Sequence, residues 1–153
     1  MKKSKIIKVV IVSLLVIVSA GVGAVFAMKD QTYSATDILK TDTSSPDFNA
    51  ENPSVAVKRL DLDAEIDDIL DIEIPEETQQ ELIKAFKNAK FEEKTIDPSE
   101  YDYRIRITLN RGYPMYLISD KKSLTLVNPD GTFEHYEIVN DSDFFSILEK
   151  ATK

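Results

Sequence analysis

Tyr101, Asp102, Tyr103, Arg104, Ile105, Arg106, Ile107, Thr108, Leu109 and Asn110 alternate apolar and polar side chains without a break. Successive side chains of a strand leave opposite faces, so the odd positions, Tyr101 to Leu109, make a buried face and Arg104, Arg106 and Thr108 a wet one. The stretch predicts a β-strand in a sheet that is covered on one side and open on the other, which is the antiparallel pattern.

Toward the C-terminus, Asn110, Arg111 and Gly112 supply turn chemistry, Met115 to Ile118 a second strand, Asp120 to Ser123 a turn, and Leu124 to Val127 a third strand. Asn128, Pro129, Asp130 and Gly131 then place proline second and glycine fourth in a tight turn, so Thr132 to Val139 reads as a fourth strand. Short turns between successive strands make a meander. Asn140, Asp141 and Ser142 offer capping side chains, and Phe144, Ile147, Leu148 and Ala151 recur at helical spacing, predicting a closing helix.

Toward the N-terminus, Pro75, Glu76 and Glu77 open a helix, since proline suits the first turn and carboxylates favour the positive end of the dipole. Leu82, Ile83, Phe86 and Ala89 share its apolar face and Lys84, Lys87 and Lys90 sit toward its C-terminal end, so the spacing predicts a helix from about Pro75 to Lys90. Val55, Val57, Leu60 and Leu62 predict a strand, with the odd-to-even shift placing a bulge or bend near Lys58 and Arg59. In Ile66, Ile69, Leu70, Ile72 and Ile74 the first members fit one helical turn and the last an extended segment, which leaves the stretch open between the two. The expected fold class is α+β: an antiparallel meander of about four to five strands with two helices on one face, preceded by an N-terminal transmembrane helix.

That last element rests on Val9 to Met28, twenty residues without a charge, which at about 1.5 Å per helical residue spans a hydrocarbon core of roughly 30 Å. Lys2, Lys3, Lys5 and Lys8 precede it, so the basic flank holds the N-terminus in the cytoplasm and the remainder is exported. Val25, Phe26 and Ala27 form a peptidase-like site, and cleavage after Ala27 releases a secreted form. The length of the apolar run favours a permanent single-pass anchor. Asp30 to Pro53 is rich in Ser, Thr, Asp, Asn and Pro without periodicity, the composition of a disordered tether. The domain expectation is therefore 1–30 membrane anchor or signal peptide, 31–53 polar tether, and 54–153 a monomeric extracytoplasmic domain.

From Asp30 onward 14 basic residues face 27 acidic ones, a formal charge of −13, and no basic stripe follows the N-terminus, which argues against a nucleic-acid partner. Cysteine is absent, excluding disulfides, thiolate metal sites, a cysteine nucleophile and a lipoprotein anchor. Lysine-flanked anchor, polar tether and one outer domain together resemble the uncharacterised small membrane-anchored extracytoplasmic proteins of Gram-positive bacteria. The resemblance is carried by Met1 to Asp30 and implies a cell-envelope location, with no activity.

For chemistry, Asp61, Asp63, Glu65 and Asp67 begin an acidic run to Glu73 that offers hard oxygen ligands to a divalent cation. Neither EF-hand register supplies the glycine turn and the closing glutamate, so a solvated acidic face is the preferred reading. His135 is the only histidine, and Ser119, Ser123, Ser142 and Ser146 lack a Gly-x-Ser-x-Gly context. Glycine-rich phosphate loops are missing, so no cofactor is expected. Arg104, Arg106 and Arg111 form the one basic patch, suited to a carboxylate-bearing partner or, more simply, to pairing with acids on the sheet surface. The function expected is a non-enzymatic, membrane-tethered binding or regulatory module of the envelope contacting another protein or a peptide. The alternatives are a small envelope hydrolase or divalent-cation-dependent enzyme, and an immunity or inhibitor protein.

Overall fold

The computed structural model describes residues 31–61, 68–140 and 142–153. The long alternation becomes strand β5 (Tyr103–Thr108), and the three apolar stretches after it become β6 (Gly112–Ile118), β7 (Ser123–Val127) and β8 (Phe133–Ile138). They pair consecutively as a meander, with Ile105 opposite Met115, Leu117 opposite Leu124, and Thr125 opposite His135. Gly131 closes the β7–β8 turn at φ 85°, a left-handed conformation that costs glycine nothing. Four more strands extend the sheet: β1 (Tyr33–Ser34), β2 (Ser54–Asp61), β3 (Asp68–Ile72) and β4 (Lys90–Glu93). The order is β1-β4-β8-β7-β6-β5-β2-β3, with every neighbouring pair antiparallel.

Three α-helices are present among the described residues: α1 (Ala35–Leu39), α2 (Glu76–Asn88) and α3 (Phe144–Ala151). Their apolar faces join one core with the odd positions of β5. Phe86 is fully buried, 5.3 Å from the Phe91 ring and 5.4 Å from the Phe144 ring. All three helices thus lie on one side of the sheet, leaving the even positions of β5 on the other.

The fold departs from the sequence expectation in several respects. Among the described residues the sheet has eight strands where about four to five were expected, and α1 is a third helix. Both β1 and α1 fall in the stretch read as tether, where Ala35, Ile38 and Leu39 are buried. A capping box holds the start of α1: Ser34 Oγ accepts from Asp37 N, and the Asp37 carboxylate accepts from Ser34 N. β4 begins where the expected helix ends and is absent from the expectation, because Lys90 to Glu93 contains one apolar residue, Phe91, and hence no period to read. No bulge interrupts β2 at Lys58 and Arg59, whose partners run consecutively on both sides. Val57 and Leu60 take opposite faces because the outer face carries an apolar patch of its own. Among the described residues no helix is long and apolar enough to cross a membrane, which corrects the expected fold, and Val9 to Met28 lies outside those residues.

The link from β4 to β5 determines which part of the outer face stays open. β4 pairs with β8 and β5 with β6, so residues 94–102 must pass from one side of β8–β7–β6 to the other. They run past the β6–β7 turn: Lys94 pairs with Glu137, Lys121 with Glu100, and Ser119 N donates to Asp102 at 3.1 Å. A 3₁₀ turn over Pro98–Glu100, capped by Asp97, steers this passage, which delivers Tyr101 onto the outer face of β6.

Candidate functional site

On that outer face lies an open groove of about 460 Å³, lined chiefly by Ala56 and Lys58 of β2, Ile69 of β3, Arg104 and Arg106 of β5, and Pro114 and Tyr116 of β6. Strand register fixes its layout. One row across the sheet reads Lys58, Arg104, Tyr116, and the next reads Ala56, Arg106, Pro114. Within β5 the two arginines are two residues apart, about 7 Å along the strand.

The two guanidinium groups differ in how they are held. Arg104 is half-buried against the contacting pair of rings Tyr101 and Tyr116, 5.2 and 5.4 Å from their centroids, and those rings are 4.8 Å apart. Its Nε and Nη2 donate to Tyr101 Oη at 3.1 and 2.6 Å. A cation held against two rings and hydrogen-bonded to one of them is pre-positioned, so the side-chain entropy cost falls on folding and not on binding. Arg106 is exposed, its aliphatic stem lying so close to Gly112 that a Cβ there would meet its Cδ at 3.3 Å. Its neighbours across the sheet are the small or ring-bound Ala56 and Pro114, leaving the guanidinium clear.

The third cation is already engaged, since Lys58 Nζ lies 2.9 Å from the Asp71 carboxylate. Both side chains are well exposed, and such surface pairs are worth about 0–1 kcal/mol. Among the described residues neither Arg104 nor Arg106 forms an ion pair, although the simpler sequence reading paired them with acids. The sheet supplied rings and small side chains as their neighbours.

Arg111 belongs to another site. Thr108 pairs with Gly112 across the β5–β6 turn, so parity is kept and the odd-numbered Arg111 falls to the core side. Its guanidinium lies on the Tyr113 ring at 4.7 Å and donates from Nη2 to Leu39 O at 3.2 Å and from Nη1 to Thr41 Oγ1 at 3.4 Å. It satisfies a carbonyl at the C-terminal end of α1, and its own Nε is left buried without a partner among the described residues. Asp61 ends β2, while Asp63, Glu65 and Asp67 lie outside the described residues. Among the described residues no cluster of three or more acidic or histidine side chains could hold a metal ion.

His135 is half-buried on β8, with Nδ1 2.8 Å from Thr125 Oγ1. The four serines weighed as nucleophiles are engaged elsewhere: Ser119 with Asp102, Ser123 with Lys121 O, Ser142 with Ala85 O and Ser146 with Asp143 O. Tyr101 was missed as a site residue because the alternation assigned it to the buried face. β5 begins only at Tyr103, and the chain before it turns Tyr101 to the other side. Comparison with protein-family models, curated proteins and solved structures returned no match to this chain.

Proposed function

We propose that the protein is a binding module of the cell envelope, tethered through Val9 to Met28 with its folded part outside the cell, that captures a carboxylate-bearing segment of another protein on the open face of its sheet. One observation carries this reading: in a chain of strongly acidic balance, two arginines without acidic partners among the described residues stand side by side in a groove with an apolar floor. An unpaired guanidinium on a sheet surface offers charge-assisted, bidentate hydrogen bonds to a carboxylate, while Ala56, Ile69 and Pro114 offer apolar contact beside it. Excess negative charge elsewhere discourages non-specific polyanions and confines attraction to the groove.

The test compares the full chain with the double variant Arg104→Ala, Arg106→Ala as bait in envelope extracts, with cross-linking before recovery. The wild-type chain is expected to retain a partner that the variant loses, and that partner's binding is expected to weaken with rising salt. Equal recovery by both chains would remove the groove as the binding surface.

A further inference from the structure

Resting on that reading, we infer that the groove selects an extended acidic peptide whose carboxylates occur on alternate residues, with Arg104 as the fixed anchor and Arg106 as the residue that reads the spacing. The inference comes from the spacing of the two arginines and from what surrounds each.

Side chains on one face of a strand repeat every second residue, about 7 Å apart, and an extended peptide laid over β5 presents its own alternate side chains at the same repeat. Two carboxylates separated by one residue therefore meet Arg104 and Arg106 together. Adjacent carboxylates leave opposite faces of an extended peptide, so only one of them can reach the groove. Carboxylates three apart also leave opposite faces and overshoot the pair. Lys58 does not blur this selection, because it lies across from Arg104 in the same row: where its weak surface pair with Asp71 opens, it adds to the anchor position and leaves the repeat along β5 unchanged.

The surroundings divide the roles. Arg104 is held by Tyr101 Oη and two rings before any ligand arrives, so its position is a property of the fold. Around Arg106 the row is Ala56 and Pro114, with Gly112 against its stem, and this run of small or compact side chains leaves room for a ligand carboxylate and the backbone carrying it. A long anionic polymer is a poorer occupant. Beyond the groove it meets the acidic remainder of the domain, whereas a short peptide within about one Debye length, roughly 8 Å, interacts mainly with the two arginines.

The experiment uses the full chain in detergent micelles and three fluorescently labelled, end-capped pentapeptides of identical composition. Two glutamates stand second and fourth, second and third, or second and fifth in a threonine background. Anisotropy titration should give the alternate-spaced peptide an affinity about tenfold above the other two. Arg106→Ala should remove that preference, bringing all three to one weak affinity. Arg104→Lys, which keeps the charge and loses the fork and its hold on the two rings, should weaken the alternate-spaced peptide while melting at the wild-type temperature. Comparable binding of all three peptides that falls in Arg106→Ala would overturn the spacing rule and leave the groove as a carboxylate site. No saturable binding of any peptide would overturn the acidic-peptide assignment. Displacement by linear polyphosphate at lower concentration than by the alternate-spaced peptide would show that the groove takes anionic polymers, and would likewise overturn it.

Discussion

Phe86 illustrates how far one side chain carries this fold. It is fully buried between the rings of Phe91 and Phe144, joining α2, β4 and the start of α3 at one point. Phe86→Ala is expected to cost about 3–5 kcal/mol through lost transfer energy and the cavity left behind. Lys84→Ala, on the exposed side of the same helix, should change stability by no more than about 0.5 kcal/mol. Equal urea midpoints for the two variants would contradict this packing. Asp37 shows a charge at work at the same scale. The hydroxyl and then the backbone N–H of Ser34 donate to its carboxylate and hold it below its ordinary value of 3.8. A carboxyl lowered in the folded state stabilises fully above that ordinary value and loses its contribution as pH falls through the lowered one. Asp97 and Asp130 are lowered in the same way by Ser99 and Thr132, so the acid response of the whole protein is a composite. The stability difference between wild type and Asp37→Asn should accordingly be constant above about pH 5 and shrink below 3.8. Urea midpoints measured from neutral to strongly acidic solution check this, and a difference that does not change with pH would refute it.

Among the elements, α1 is the one whose presence depends most on distant partners. Five residues are too few to form an isolated helix, because nucleation costs more than one turn of hydrogen bonds returns. Its stability comes from the capping box at one end, the burial of Ala35, Ile38 and Leu39, and Arg111 at the other end. Arg111→Ala removes the donor to Leu39 O and should loosen this element by about 1–3 kcal/mol. In hydrogen–deuterium exchange, peptides covering 33–44 should exchange faster while those covering 113–127 remain protected. Faster exchange across both regions would mean that Arg111 supports the sheet and not the helix. The meander has the opposite character: β5 to β8 are joined by short turns and pair in sequence order, so their contacts are local.

In the molecule as a whole, the sheet continues beyond the meander on both sides, and the N-terminal elements complete one edge. Tyr33 pairs with Phe91, and α1 covers core that would otherwise face water. A protein beginning at Ser54 therefore loses more than a tether. Exposing the sites of Ile38 and Leu39 costs about 3–6 kcal/mol, set against a total of roughly 5–15 for a domain of this size. It should melt more than about 10 °C below one beginning at Thr32. Coincident melting curves would show that residues 32–53 add nothing to the fold. At this scale the formal charge of −13 from Asp30 onward also matters, because it discourages anions in general from an exposed cationic groove.

Local periodicity was enough to locate the meander, helices α2 and α3, and the face of β5 that carries Arg104 and Arg106. Each of these is a run long enough for side-chain direction to repeat, and the direction follows from backbone geometry alone. Ser34 and Asp37 already stood at capping-box spacing ahead of Ile38 and Leu39, a signal for α1 that polar composition obscured. Nothing comparable marked β1 or β4: strands of two and four residues have no period, and exist because a neighbouring edge offers unpaired hydrogen bonds. The groove belongs to the same class. That Lys58 meets Asp71, that Ala56 and Pro114 flank Arg106, and that Tyr101 closes over Arg104 are consequences of register and of the path taken by residues 94–102. Those distances are set by chain segments far apart in sequence, and became defined only when the sheet closed around a shared core.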